Sequence, residues 1–212
     1  MQKTTPSRQI GAIYTTLADA WGPQHWWPAR TPFDVIVGAY LTQNTNWTNV
    51  ERALEQLRSA HVLSVNAIRR IPVWKLERLI RSSGYFRQEA RRLNLFVEFL
   101  DRNYNGSLKK MFAQPTVKLL LLNGVGPETA DSILLYAGQH PIFVIDAYTR
   151  RITIRHGLAS EDAKYDDLRV LFEQRLSDTK VIDDARSLSS RGASHHPSRM
   201  SLARRTPLAQ VF

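Results

Sequence analysis

Residues 121–137 read LLNGVGPETADSILLYA, with Gly124 and Gly126 flanking Val125 and Pro127 following. Glycine admits backbone angles that a Cβ forbids, and it lets a second chain come close. Proline suits the first position of a helix, and Thr129, Ala130, Ile133 and Leu134 then fall at helical spacing. The spacing predicts helix, tight turn, helix, with the N–H groups of the turn at a positive helix terminus. The chemistry of such a turn is anion binding, and it suits a phosphate. An ordinary helix pair closed by a glycine cap would be spelled the same way. Asp146 lies 20 residues beyond Gly126, after Ile142-Phe143-Val144-Ile145 and before Ala147-Tyr148-Thr149-Arg150. Its carboxylate can cap the helix that starts there. It can also stabilise a developing positive charge or orient a water. Large flat rings form a third group: Trp26 and Trp27 precede Pro28, and Trp47 follows the run QNTN. Such faces stack on other flat rings or fill a core.

These residues need a scaffold, and the periodicity is helical nearly everywhere up to residue 176. Ile10, Ile13, Tyr14, Leu17 and Trp21 form one apolar stripe. Thr31-Pro32 reads as a helix start, with a capping hydroxyl, proline at the first position and Asp34 in the capping-box place. Phe33, Ile36, Val37, Tyr40 and Leu41 follow, then a second helix through Trp47, Val50, Leu54 and Leu57. Further stripes cover Trp74–Ile80 and Tyr85–Tyr104, with Gly84 and Gly106 as stops, and residues 117–122 predict the helix before the glycine turn. Leu168 to Leu176 completes the pattern, and only Val144-Ile145-Asp146 is strand-like. The expectation is an all-α protein. From about Asp178 the chain is rich in Ser and Arg and loses its period, which predicts disorder. His195 and His196 have no carboxylate framework around them, so no metal site is expected.

The 212 residues carry a net charge of +10. Residues 177–212 supply +3 of it, with six Lys/Arg against three Asp/Glu, and the preceding chain supplies +7. A helical body this basic points to a polyanion such as nucleic acid. No apolar run approaches the ~18 residues a membrane span needs, and no apolar leader is seen near the N-terminus. There are no cysteines, so disulfides, thiolate zinc sites and iron–sulfur clusters are excluded. A cytoplasmic location is expected, nucleoid-associated if the source is bacterial.

LNGVGPETADSILLYA followed by VIDAYTRRI resembles the helix–hairpin–helix DNA glycosylases of the endonuclease III superfamily. FDVIVGAYLTQNTNWTNVERAL is similar to the early helix pair of that family, and the likeness covers roughly residues 8–176. The resemblance implies a two-lobed helical fold with the active site between the lobes. One lobe would span 22–136 and carry the hairpin at about 117–136. The other would join 1–21 to 137–177, and 178–212 would be a disordered or non-homologous tail. In the family the hairpin grips one DNA strand through backbone amides, often with a monovalent cation, here through Gly124, Val125, Gly126 and Thr129. Gln43 and Asn44 would lie near the space left by a flipped nucleotide. Arg150, Arg151 and Arg155 would reach phosphates unless they form a solvated face. Arg87, Arg91 and Arg92 read rather as a solvated face.

Asp146 occupies the catalytic position of that family, where a carboxylate supports the oxocarbenium character of the sugar as the base departs. Strand-cutting members carry a lysine in the pattern G-x-G-x-K, and this chain has Glu128 there. A carboxylate forms no imine, so a monofunctional enzyme that leaves an abasic site is implied; Lys118 is the alternative amine. The pattern WWP…LTQNTNW…GVGPETAD looks like the bacterial 3-methyladenine glycosylase branch, in which Trp26, Trp27, Pro28 and Trp47 would line the base pocket. Their aromatic faces suit a cationic alkylated purine; as core residues they would serve the fold alone. The implied partner is double-stranded DNA with one damaged base, bound by a monomer without a resident cofactor. The rivals are an endonuclease III-like glycosylase for oxidised pyrimidines and a helix–hairpin–helix DNA-binding protein without catalysis.

Overall fold

The structure, a computed structural model, describes residues 6–21, 27, 29–43, 45–114, 122 and 124–176. Trp26, Pro28, Asn44, Lys118, the predicted helix at 117–122 save Leu122, and the tail with its two histidines lie outside the described residues. The helices are α1 (Pro6–Trp21), α2 (Pro32–Leu41), α3 (Trp47–Ser59), α4 (Val65–Arg70), α5 (Val73–Leu79), α6 (Phe86–Tyr104), α7 (Leu108–Phe112), α8 (Pro127–Ser132), α9 (Ala147–Arg155) and α10 (Tyr165–Leu176). Among the described residues there is no strand, so the all-α expectation holds. The strand-like stretch before Asp146 is an extended connection, because no second strand is at hand to pair with it. The short helices α4 and α7 carry too few periodic residues to be read from the sequence.

The chain divides into two compact units. A continuous unit runs over Ala29–Gly138, and a composite unit joins Met1–Pro28 to Gln139–Phe212. In the continuous unit α2 is the central element. Every residue from Phe33 to Leu41 is buried, which a helix apolar on all sides requires of its surroundings. It packs against α3, α6 and α8. The Tyr40 and Phe96 rings meet edge to face at 6.0 Å. The start of α2 follows the sequence: Thr31 Oγ1 accepts from the Asp34 N–H at 3.2 Å. Asp34, however, accepts from the N–H of Arg30 rather than of Thr31, and it is buried against Arg58 at 3.2 Å. The capping box is thus displaced by one residue and closed by an ion pair.

α8 continues through Ile133–Ala137 as a wider, π-type turn and stops at Gly138. In the composite unit α1 packs on α10, and Ile10, Ile145, Leu158, Leu168 and Phe172 form the core. Phe143 stacks on Phe172 with centroids 4.6 Å apart. No described helix is long and apolar enough to cross a membrane.

Candidate functional site

The glycine turn takes the shape its spelling demands. Gly124 has φ +82°, a left-handed conformation that strains any other residue. The Val125 N–H donates to the Leu122 carbonyl at 3.1 Å, which closes the turn. Val125 is buried, and Gly126 is the exposed N-cap of α8 in an extended conformation. Pro127 occupies the first helical position, and Glu128 follows it, exposed. The amides of a first helical turn have no intrahelical acceptor, so the turn is suited to an anion.

This turn is tied to the segment after α2. Gln43 Nε2 donates to the Gly124 carbonyl at 3.0 Å and lies 3.5 Å from Thr129 Oγ1. Gln43 Oε1 accepts from Arg92 Nη1 at 2.9 Å, and the same nitrogen donates to Glu89 Oε1 at 2.8 Å. The structure therefore gathers Gln43, Gly124 and Thr129, with Arg92, which the sequence suggests is a solvated charge, and Glu89, which the sequence analysis does not single out. Arg92 is not part of a solvated face; its side chain is 15% exposed and runs over Gly124. The missing Cβ of Gly124 makes the room, since one built there would overlap Arg92 Nε and Cζ. Arg87 and Arg91 are exposed as expected.

Burial pushes the Glu89 carboxyl above its usual range, and the nearby Arg92 charge only partly opposes this. Burial also raises the Tyr40 hydroxyl, helped by the negative charge of Glu89. The signal for this cluster was present: Glu89, Leu93, Phe96 and Leu100 share one helical stripe, so a charge sits on an apolar face. Trp47 opens α3, half-buried, with its indole N–H donating to Glu51 Oε1 at 2.9 Å.

In the composite unit Asp146 is the N-cap of α9, with Oδ1 accepting from the Thr149 N–H at 2.7 Å. One carboxylate oxygen is used in capping, which leaves the other as an acceptor. The segment before it is strapped to α10: the Phe143 N–H donates to Glu173 Oε1 at 3.2 Å and the Ile145 N–H to the Tyr165 hydroxyl at 3.4 Å. With Ile145 buried, the extended run holds Asp146 firmly. The Arg150 guanidinium donates to the carbonyls of Ala163 and, at 2.6 Å, Glu161, so it braces the loop before α10. Arg151 is exposed and lies over the Tyr148 ring at 4.9 Å. Both arginines, with Arg155, line a shallow depression beside Glu161. Trp27 is half-exposed in the same unit. No group of metal-ligating side chains occurs among the described residues.

The sequence profile described as HhH-GPD superfamily base excision DNA repair protein matches residues 37–178, a stretch that contains both the glycine turn and Asp146. A "putative DNA repair glycosylase" of Methanocaldococcus jannaschii is 43% identical over 180 residues, which are 82% of this chain and 81% of that protein. Among solved structures, the 3-methyladenine DNA glycosylase of H. pylori, bound to 1,N6-ethenoadenine, superposes with a TM-score of 0.74 at 24% identity. That match covers 96% of this chain and all of the other. A non-covalent endonuclease III–DNA complex superposes with a TM-score of 0.73 at 21% identity, over 86% of this chain and 84% of the other.

Proposed function

The chain belongs to the HhH-GPD superfamily of base excision DNA repair proteins and is a DNA repair glycosylase; from that premise we propose that it is monofunctional and removes an alkylated purine such as 3-methyladenine from duplex DNA. The observation that carries the monofunctional reading is Glu128. It stands exposed in the first turn of α8, where strand-cutting members carry lysine, and a carboxylate cannot form the imine that lyase chemistry requires.

Asp146 is the catalytic residue of this reading. As the glycosidic bond lengthens, positive charge grows on the sugar. The carboxylate oxygen not used in capping stabilises that charge and orients the water that attacks the anomeric carbon. The departing base carries away the electron pair of the broken bond, and the water gives its hydroxyl to the anomeric carbon and its proton, through the Asp146 carboxylate, to solvent. An alkylated purine already carries positive charge and leaves readily, so a carboxylate without an acid partner suffices. The base-pocket residues of this reading are Trp26, Trp27, Pro28 and Trp47, and stacking of a flipped base on an indole ring contributes about 1–3 kcal/mol.

The duplex is held by the amides of Gly124, Val125, Gly126 and Thr129 and by Arg151, with Gln43 and Asn44 beside the vacated position. Arg150 contributes by fixing the loop next to Arg151. The reading includes a monovalent cation at the turn, as the family resemblance implies. In this reading the protein acts as a monomer in the cytoplasm, with the nucleoid if its source is bacterial.

The likeness in fold to endonuclease III supports a second reading, release of an oxidised pyrimidine. One assay separates the readings: base release from a duplex containing one alkylated adenine or one oxidised pyrimidine, with and without hot alkali afterwards. Release from the alkylated duplex, with a strand break only after alkali, is the expected result. A break without alkali refutes the Glu128 argument. Release only from the pyrimidine duplex supports the second reading, and binding with neither release supports a non-catalytic DNA-binding protein.

A further inference from the structure

Among the described residues, three polar side-chain atoms are buried without a hydrogen-bond partner, and all three lie in the continuous unit: Tyr40 Oη, Glu89 Oε2 and Arg92 Nε. They belong to one cluster. Glu89 and Arg92 are paired at 2.8 Å, and both charges act on Tyr40. Burying an ion pair with atoms left unsatisfied costs stability, so its presence calls for a role beyond holding helices together.

The geometry supplies one. A guanidinium only donates, so Arg92 can face only the oxygen of the Gln43 amide. The Gln43 nitrogen is then turned towards the Gly124 carbonyl. Arg92 Nε, Cζ and Cδ lie over Gly124 itself, in the space that a Cβ would fill. The same Arg92 nitrogen, Nη1, also donates to Glu89 Oε1, so the carboxylate and the Gln43 amide oxygen share one donor. At 15% exposure the positive charge faces Glu89 and Gln43 rather than solvent.

We propose that Arg92 is a positioning residue for the DNA grip: acting through Gln43, it sets the Gly124 turn in the shape that receives a phosphate, and it touches no DNA itself. The inference rests on reading the hairpin as the DNA grip. It also assigns Gln43 a structural task on the protein, in addition to any place beside a flipped nucleotide.

The test is equilibrium binding of the full chain to a short undamaged duplex, followed by fluorescence anisotropy over a salt series. The proteins are wild type, Arg92→Met, Gln43→Ala and the double variant. Each single variant is expected to bind about tenfold more weakly, the equivalent of about 1.4 kcal/mol. The slope of log K against log salt should stay unchanged, whereas loss of a direct phosphate contact lowers it by about one. The double variant should bind no more weakly than Arg92→Met, because both changes cut one chain of contacts. A slope lower by one for Arg92→Met, additive losses, or wild-type affinity in either single variant overturns the proposal. Should Arg92→Met fail to fold, Arg92→Lys takes its place, since it keeps a charge beside Glu89 and loses the planar guanidinium; wild-type affinity, or a slope lower by one, in that variant overturns the proposal. Wild-type protein that binds no duplex at all refutes the functional reading, and this inference with it. That pattern is unlike binding that persists through the substitutions.

Discussion

Replacing Gly124 by alanine sets two local costs on a single atom. The first is conformational: at φ +82° a Cβ is strained, by about 1–2 kcal/mol. The second is steric. The new Cβ would overlap Arg92 Nε and Cζ and lie 2.8 Å from Cδ. The guanidinium is not a free side-chain end that can swing into water, because it is held to Glu89 at 2.8 Å and to Gln43 at 2.9 Å. Moving it weakens two charge-assisted hydrogen bonds, each contributing about 1.5–3 kcal/mol. A loss of about 4 kcal/mol is expected for Gly124→Ala. At about 2–4 °C per kcal/mol for a chain of this size, the midpoint of thermal unfolding falls by roughly 8–16 °C. Gly126→Ala is the matched comparison. Gly126 has φ −87° and nothing within 4 Å of a Cβ. Its stability should change by less than about 1 kcal/mol. Its duplex affinity should nevertheless fall, because the methyl group stands where a phosphate would approach. Thermal unfolding by circular dichroism and duplex anisotropy measure both quantities. A Gly124→Ala midpoint within about 2 °C of wild type, or a larger stability loss for Gly126→Ala, would refute the reasoning.

Asp146→Asn should abolish base release while leaving duplex affinity and the unfolding midpoint nearly unchanged, since asparagine caps a helix about as well as aspartate. Retained release in a single-turnover assay would remove Asp146 from the chemistry. Arg150→Ala should cost about 1–2 kcal/mol in urea unfolding, because it removes the donors to the Ala163 and Glu161 carbonyls. The same variant should be cut faster by protease between residues 157 and 164; an unchanged cleavage rate would mean that the loop holds itself.

The features legible from the sequence were local ones. Thr31-Pro32, Pro127 and the stripe of α6 each state a backbone preference within a few residues, and each appears where it is spelled. Asp146 was legible as a cap for the same reason: the side chain of an N-cap reaches only three residues on, to Thr149. Arg92 was not legible. In a run with Arg87 and Arg91 it looks like one more charge on a wet face. It is buried by a glycine 32 positions away and by a glutamine from a different turn. The task of Arg150 was hidden likewise, since its partners are backbone carbonyls, which any residue type provides. The displaced capping box shows a smaller version of this effect: Arg58, 24 residues on from Asp34, closes it.

The division of the chain into a continuous unit and a composite one also bears on the order of folding. A chain emerging from the ribosome completes Ala29–Gly138 before the partners of α1 exist. Ile10 must wait more than a hundred residues for Leu168 and Phe172, and contacts so distant in sequence form slowly. Pulse-labelled hydrogen exchange should therefore find amides of α2 protected before those of α9 and α10. Until α10 is made, Ile10 lacks the partners that bury it. The run that carries Asp146 gains its packing only when the last described helix closes on the first; on the proposed function, a nascent chain would then acquire its hold on phosphates well before any power to break a glycosidic bond.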